Sequence, residues 1–223
     1  MKILFKFASR SRPQKLLSCI DNINKMCQGS NHVILVTLDI DDKTVATKDF
    51  NNQALSRPNT ICVYGFSKGK IDAINRDLWM VEEFDILINT SDDMWFTMYG
   101  FDDVIRDDFA KWFPYLDGFL HYPDGSQATT RLSTMSIMGR KYFDRFKYIY
   151  HPDYISVYCD QEATDVAKKL GKHLFIDTLL FEHRHPVWKK AEWDEQYRKT
   201  EDKTIYAQDR ATFERRKAIN FEL

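Results

Sequence analysis

Two adjacent carboxylates, Asp92 and Asp93, follow a short apolar run that ends at Ile88. Neighbouring carboxylates repel each other unless a cation neutralises them, and hard oxygen ligands of this kind suit Mg²⁺ or Mn²⁺. The alternative interpretation is structural, because aspartate is also favoured as the cap of a turn. From this pair alone, both interpretations remain open: a divalent metal site and a turn cap.

His183 and His185 are a second group that could bind a metal. The alternation of the pair predicts that the two rings point to opposite sides of the chain, so that at most one of them faces a site. A single histidine is more often a hydrogen-bonded structural residue, but Asp92 needs a further ligand that one of these rings could supply. Nothing here resembles the closed Cys and His set of a structural zinc site.

Asp160 precedes apolar residues that recur at helical spacing between positions 163 and 170. One interpretation is a helix N-cap, which aspartate fills well. The other is a general base at the start of a helix that lines a cleft, with its pKa set by burial and a nearby cation. Glu162 is the competing candidate for that role.

Two basic segments are weaker signals. Lys68, Gly69 and Lys70 are residue types that suit phosphate, but the spacing of a P-loop is missing and a solvated turn is the default interpretation. The basic run at 215–217 could contact nucleic acid or lipid, although a solvated helix end is favoured because the overall charge is balanced.

The elements that must position these residues alternate along the first half of the chain. Apolar runs predict strands at 3–5, 33–36, 61–64 and 84–88, and helical spacing predicts helices over 16–27 and 71–78. Pro13 suits the first turn of the first helix. The order strand, helix, strand, strand, helix, strand predicts an α/β fold with a mostly parallel sheet.

Parallel sheets of this kind bind ligands beyond the carboxyl ends of their strands. The segments that follow the four predicted strands are 8–13 (ASRSRP), 39–42 (DIDD), 65–70 (GFSKGK) and 90–93 (TSDD). All four carry charged residues and two carry carboxylate pairs. We therefore expect the chemistry of the protein to lie at this edge of the sheet.

The second half is less regular. The sequence predicts a turn at Pro123-Asp124-Gly125, a strand over 132–138, a helix over 163–170 that Gly171 ends, and a last strand at 174–176. After Trp188 the chain is highly charged and poor in aliphatic residues, which predicts a helical or mobile tail.

Composition excludes several classes. The 223 residues are 43% hydrophobic, enough for a core, and a net charge of −1 argues against a protein that coats nucleic acid or an anionic membrane. No apolar run approaches the ~18 residues that cross a bilayer. The four cysteines form no CxxC pair, which favours buried thiols in a reducing compartment. The expected location is cytoplasmic.

The order of these motifs resembles the nucleotide-sugar-dependent glycosyltransferases of family 2, which have the GT-A fold. The likeness spans about residues 1–186 and rests on five stretches: 8–13, the acidic segment from Asp39, 69–76 (GKIDAINR, similar to the family's GKxxAxN), 84–93 (its strand and DxD signature) and 159–162 (CDQE, its ED segment). The His183 to His185 segment lies where such enzymes often keep a late metal-binding histidine. Two positions depart from the pattern, because Thr90 replaces the first Asp of DxD and Cys159 replaces the first acid of the ED segment.

The resemblance implies a Rossmann-type three-layer α/β/α sandwich as one domain over 1–186, with a nucleotide-binding half (1–93), an acceptor half (94–186) and a tail or lid at 187–223. It implies contacts to the nucleotide sugar from Ala8, Ser9, Arg10, Arg12, Asp39, Lys70, Asn75, Ser91 and Asp92. It implies Mn²⁺ or Mg²⁺ on Asp92, with Asp93 and one of His183 and His185, and Asp160 as the base.

The resemblance thus implies transfer of a sugar from a nucleoside diphosphate, with UDP favoured, to a hydroxyl of a glycan or other acceptor, with inversion at the anomeric carbon. Aromatic residues of the second half, such as Trp95 and Tyr122, suit sugar rings but more often pack in a core. Two other classes stay open. A nucleotidyltransferase needs the same groups but uses a triphosphate, and a non-catalytic sugar- or partner-binding domain would explain the incomplete DxD pattern.

Overall fold

The first half of the chain and part of the second contribute strands to a central sheet of seven. The computed structural model describes residues 1–126, 131–200 and 202–223. The strand order is β3-β2-β1-β4-β7-β6-β8, and the strands are β1 (Ile3–Ala8), β2 (His32–Asp39), β3 (Thr60–Gly65), β4 (Ile86–Thr90), β6 (Phe119–His121), β7 (Ile137–Gly139) and β8 (His173–Phe175). Only β7 runs antiparallel to its neighbours. The prediction of a mostly parallel α/β sheet is therefore confirmed.

Eight α-helices accompany these strands in the described part of the chain. They are α1 (Pro13–Met26), α2 (Lys48–Leu55), α3 (Lys70–Asn75), α4 (Phe101–Trp112), α5 (Arg140–Phe146), α6 (Cys159–Lys169), α7 (Glu195–Thr200) and α8 (Lys203–Ala218). A two-stranded ribbon of β5 (Met94–Phe96) and β9 (Phe181–His183) lies outside the large sheet. None of the helices in these ranges is long and apolar enough to cross a membrane.

The two faces of the sheet are covered by different helices, because successive strand residues point to opposite faces. Ile3 and Phe5 belong to a core with residues of α1, α2 and α4, whereas Leu4 belongs to a second core with residues of α3, α5, α6 and α8. This arrangement is the predicted three-layer α/β/α sandwich. All four cysteines are free, and only Cys62 is not fully buried.

Several sequence-based boundaries need correction. The helix expected over 71–78 ends at Asn75, and a separate 3₁₀ turn covers Leu78–Met80. The strand expected over 132–138 is formed only at Ile137–Gly139. The strand at 174–176 is not the last, because β9 follows it and pairs antiparallel with β5. That pairing matters for the site, since it sets Met94 opposite His183.

Candidate functional site

The loop after β1 meets the carboxylates after β4, because β1 and β4 are parallel neighbours in the sheet. Ser9 donates its hydroxyl to Oδ2 of Asp92 at 2.6 Å, and Arg12 donates Nη1 to Oδ1 at 3.0 Å. Burial raises the pKa of Asp92, and the charge of Arg12 opposes this only in part. Both oxygens of Asp92 are thus used within the protein.

Asp93 faces a different set of groups, which the ribbon of β5 and β9 brings together. Its Oδ2 lies 3.5 Å from Nε2 of His183, and Nδ1 of the same ring lies 3.6 Å from Oδ2 of Asp124. Neither separation is a hydrogen bond, and Nδ1 is a buried atom without a hydrogen-bond partner in the described structure. Ser91 donates its hydroxyl to the other oxygen of Asp93.

The two carboxylates flanking His183 determine its charge. Burial alone would lower the pKa of His183, but Asp124 and Asp93 outweigh burial and raise it to about 9. Burial would likewise raise the pKa of Asp93, yet His183 and Ser91 hold it below its ordinary value. The pKa values of the adjacent residues Asp92 and Asp93 are therefore shifted in opposite directions, because their environments differ.

His185 lies on the same side as His183. Their ring centroids are 5.2 Å apart, and the ring of His185 packs edge-on against Tyr197 at 4.6 Å. The prediction that the two rings point to opposite sides is wrong, since residues two apart along an extended chain share a face. Nδ1 of His185 accepts a hydrogen bond from the backbone N–H of Val187.

Asp93 and His183 are the residues that fit a divalent metal. A carboxylate oxygen and an imidazole nitrogen 3.5 Å apart can bind one ion, and the donor set favours Mn²⁺ over Mg²⁺, which prefers oxygen ligands. No cluster of three such ligands is preformed among residues 1–126, 131–200 and 202–223. The metal roles expected of Asp92, Asp93, His183 and His185 all stay predictions.

Asp160 lies in the first turn of α6 and is half-buried. It is not the N-cap, because Tyr158 takes that position with a left-handed backbone (φ 62°). Burial raises the pKa of Asp160, opposed by its hydrogen bond from the backbone N–H of Gln161 and by the charges of Lys70 and His183. A carboxylate whose pKa is raised in this way is suited to act as a general base.

Glu162, the competing candidate, is committed elsewhere. Arg216 of α8 donates Nε to both carboxylate oxygens, at 3.0 and 2.8 Å, and Tyr154 donates its hydroxyl to one of them at 2.7 Å. Glu162 is 4% exposed and Arg216 is 2% exposed. A carboxylate that is buried and paired in this way is a structural anchor, so Asp160 is the better candidate for a base.

The carboxyl ends of β2 and β3 form a second polar group around Asp39. Arg10 donates Nη1 to Oδ2 of Asp39 at 2.8 Å, whereas Oδ1 lies 3.9 Å from Nη1 of Arg76. Arg76 is held by Asp77 and by the carbonyl of Leu38. Oδ1 of Asp39 and Nη1 of Arg76 are both buried without a hydrogen-bond partner in the described structure, side by side. A ligand that offers one donor and one acceptor would satisfy both.

The other residues expected to contact the nucleotide differ in how far their side chains are already hydrogen-bonded within the protein. Asn75 is fully engaged, since its amide donates to the carbonyl of Tyr150 at 2.7 Å and accepts from the N–H groups of Ile149 and Tyr150. Lys70 reaches the carbonyl of Ser156 at 3.4 Å. Ala8 ends β1 and is half-buried. Their contacts to a nucleotide stay predictions.

Part of the tail covers the carboxylates. Asp194 accepts from Nη2 of Arg12 at 2.6 Å, the hydroxyl of Tyr197 donates to Oδ2 of Asp93 at 3.0 Å, and the Arg12 guanidinium stacks 3.7 Å from the Tyr197 ring centroid. A cavity of about 320 Å³ lies beside Asp92 and Asp93, between α1 and this segment. The tail therefore reaches the site as expected, and its action as a lid stays a prediction.

Three contributors to the site were not predicted as site residues. Arg76 was part of a quoted stretch without a role, and Asp124 was interpreted only as a turn residue. Arg216 was interpreted as part of a solvated basic run, but it is buried against Glu162. A pattern in the sequence gives no signal for Asp124, because its place beside His183 depends on chain folding across almost sixty residues.

Solved structures of similar fold are glycosyltransferases. A mannosyltransferase from Pyrobaculum calidifontis, solved with GDP-Man and Mn²⁺, aligns with 82% of this chain and 57% of its own at 12% identity and a TM-score of 0.67. Staphylococcus aureus TarS 1-349 with UDP-GlcNAc aligns over 93% and 66% at 12% identity and a TM-score of 0.61. Glucosyl-3-phosphoglycerate synthase from Mycobacterium tuberculosis, solved with Mn²⁺, UDP and phosphoglyceric acid, aligns over 82% and 71% at 14% identity and a TM-score of 0.58.

These likenesses establish the fold. The chain has the GT-A fold, as its motifs predicted. It spans 57% of the mannosyltransferase and 60% of another TarS 1-349 structure, so it corresponds to only part of those proteins. No protein-family model and no curated protein matches the sequence.

Proposed function

We propose that the chain is a metal-dependent glycosyltransferase of the family 2 type, which transfers a sugar from a UDP-sugar to a hydroxyl of an acceptor. The observation that carries the proposal is the group that Asp92, Asp93 and His183 form beyond the end of β4 in a GT-A sheet, where Ser9 and Arg12 hold Asp92 and the ring of His183 faces Asp93 at 3.5 Å. Neighbours crystallised with Mn²⁺ and nucleotides of this class support it.

The polar pair at the ends of β2 and β3 supports a nucleobase site. Oδ1 of Asp39 can accept and Nη1 of Arg76 can donate, and both atoms are buried without a hydrogen-bond partner in the described structure. Uracil offers a ring N–H beside a carbonyl, which would satisfy both atoms, and the other bases also present a donor beside an acceptor. The pair therefore supports binding of a nucleobase, and we take UDP as the donor nucleotide because the motifs resemble those of UDP-sugar enzymes.

The two proposed metal ligands, Asp93 and His183, would serve the leaving group. A divalent cation held by Asp93 and His183 would supply positive charge to the departing diphosphate. Arg12, whose guanidinium already links Asp92 to Asp194, adds fixed positive charge on the same side of the site. Ser9 and Arg12 hold Asp92 in place for this arrangement.

Asp160 would act as the general base. The acceptor hydroxyl gives its proton to the carboxylate while its oxygen attacks the anomeric carbon, and the bond from that carbon to the phosphate oxygen breaks. The diphosphate leaves with the bonding electrons, and attack from the opposite face inverts the anomeric centre. Burial supports this role because it raises the pKa of Asp160 towards the working pH.

The test of this function is a thermal-shift panel of nucleotides with Mn²⁺. At 100 times Kd a ligand stabilises the protein by about 2.7 kcal/mol, which corresponds to a rise in Tm of about 5–10 °C for a chain of this size. We expect that rise with UDP or a UDP-sugar. Stabilisation by triphosphates alone would indicate a nucleotidyltransferase, and no stabilisation by any nucleotide would indicate a non-catalytic binding domain.

A pH profile of transfer follows from the environment of Asp160. Because burial raises the pKa of Asp160 above its ordinary value of 3.8, the base is protonated at a higher pH than an exposed aspartate would be. We expect turnover to fall on the acid side of the profile at a pH above 3.8, while UDP affinity measured over the same range changes less. An acid limb centred at the ordinary aspartate value would contradict a base whose pKa is raised.

A further inference from the structure

Helix α8 is tied to the turn that leads into Asp160. Asp209 of α8 is fully buried, and its carboxylate accepts three backbone hydrogen bonds of 2.8 Å, from the N–H groups of Ile155, Ser156 and Val157. Within the described residues, no basic side chain forms an ion pair with Asp209. The charge of this buried carboxylate is therefore balanced by the backbone of one turn.

The same face of α8 makes further contacts around that turn. Residues 206, 209, 213 and 216 recur at three and four residues, so they share one side of the helix. The rings of Tyr206 and Phe213 lie 6.2 and 5.7 Å from the ring of Tyr158, centroid to centroid. Arg216 completes the stripe by pairing with Glu162, two residues beyond Asp160. Contacts from α8 thus precede and follow Asp160 along the chain.

The turn itself connects α8 to the candidate site. Tyr158 has a left-handed backbone (φ 62°) and directly precedes α6, so a small shift at 155–157 would rotate the start of that helix. The carbonyl of Ser156 accepts from Nζ of Lys70 and from the thiol of Cys159, which is buried beside Asp160. Movement of this turn would therefore displace both the candidate base and a lysine whose charge acts on it.

We propose that Asp209 is a positioning residue for Asp160, and that α8 serves as an intramolecular clamp on the turn at 155–157. The proposal that the clamp affects catalysis rests on the proposed function of Asp160 as a base. The clamp itself rests on the three hydrogen bonds from the turn to Asp209 and on the ring contacts beside them.

The physical reason is the sensitivity of a base to its placement. A buried N–H that loses its acceptor is costly, so without the carboxylate the turn at 155–157 will rearrange to find other partners. Displacement of a reacting group by about 1 Å can cost on the order of 10²-fold in rate even when the change is remote from the chemistry. The nucleotide pair Asp39 and Arg76 lies on other elements and would not be disturbed.

The deciding variant is Asp209→Asn, with Glu214→Gln as the matched control, because Glu214 is an exposed acid on the same helix. Hydrogen exchange measured by mass spectrometry should be at least about tenfold faster in the peptide 155–160 of Asp209→Asn, and unchanged in the control. Release of UDP from UDP-glucose or UDP-N-acetylglucosamine should fall about 10–100-fold in kcat. The Kd for UDP should change much less than kcat, since Asp39 and Arg76 lie on other elements even where Lys70 is displaced.

A milder variant covers the case in which Asp209→Asn does not fold. Tyr206→Ala removes a ring that is 40% exposed, and it should produce smaller changes in the same direction at 155–160. Unchanged exchange at 155–160, exchange that rises evenly along the chain, or turnover equal to that of the unmodified protein would each overturn the clamp. If the unmodified protein releases no UDP from either sugar donor, the proposed function fails, and the exchange result decides the clamp by itself.

Discussion

Replacing Asp160 by asparagine is expected to lower the rate of sugar transfer by ~10²–10⁴-fold while UDP binding is kept, because a positioned base contributes about that factor. Asparagine has nearly the same shape, and its amide oxygen can still accept the hydrogen bond from the N–H of Gln161. The substitution therefore removes the ability to take a proton and little else. Transfer should be measured as kcat and KM for the donor, and UDP affinity by calorimetry.

The matched control is Asp165→Asn on the same helix, whose carboxylate accepts from the side chain of Gln161 and lies one turn further along α6. This variant should keep kcat within about twofold, since surface changes are generally small. A kcat for Asp160→Asn near that of the unmodified protein would exclude Asp160 as the base. Equal losses in kcat and in UDP affinity would instead indicate a structural role for Asp160.

Asp160 is preferred to Glu162 as the general base because the carboxylate of Glu162 already has other partners. Glu162 is held by Arg216 and Tyr154, and a base that already accepts three hydrogen bonds has its lone pairs occupied. The carboxylate of Asp160 accepts one hydrogen bond, from the N–H of Gln161, and desolvation raises its pKa against the opposing charges of Lys70 and His183. Two acids two residues apart on one helix thus have separate tasks, set by which of them α8 reaches.

The central sheet could be predicted because its first four strands are near-continuous apolar runs. β1, β2 and β4 are almost wholly buried, β3 is half-buried at the edge of the sheet, and Pro13 marks the first turn of α1. The helix α2 was missed because only Phe50 and Ala54 of its eight residues are buried, which leaves little helical pattern. Strands of three residues, such as β5 and β9, are too short for an alternation to be recognised.

The residues of the candidate site likewise divide into those that the sequence could place and those that it could not. Asp39, Asp92 and Asp160 could be placed from sequence because each follows a strand or begins a helix whose position the sheet order fixes. The partners of those residues could not, since Asp124 reaches His183 only through pairings between distant segments. A basic run of three residues contains the buried Arg216, and composition alone cannot distinguish it from its solvated neighbours.

Replacing His183 by asparagine is expected to abolish most Mn²⁺ binding, whereas the same change at His185 should leave it largely intact. Nε2 of His183 faces the carboxylate of Asp93 at 3.5 Å, and Nδ1 is oriented towards Asp124, so the ring can bind a metal with one nitrogen while a carboxylate orients the other. His185 instead packs on Tyr197 and accepts from a backbone N–H. Mn²⁺ binding can be measured by electron paramagnetic resonance, without any acceptor or sugar.

The same pair of variants separates metal binding from catalysis. If the cation stabilises the leaving diphosphate, His183→Asn and Asp93→Asn should each lower kcat by ~10²–10³-fold, the loss expected when one group that stabilises developing charge is removed. Chelation with EDTA should reproduce that loss in the unmodified protein and change the two variants much less, because their metal is already weakly held. Equal Mn²⁺ affinity in His183→Asn and the unmodified protein would exclude His183 as a ligand. Loss of Mn²⁺ only in His185→Asn would move the metal to the other ring, which packs against Tyr197.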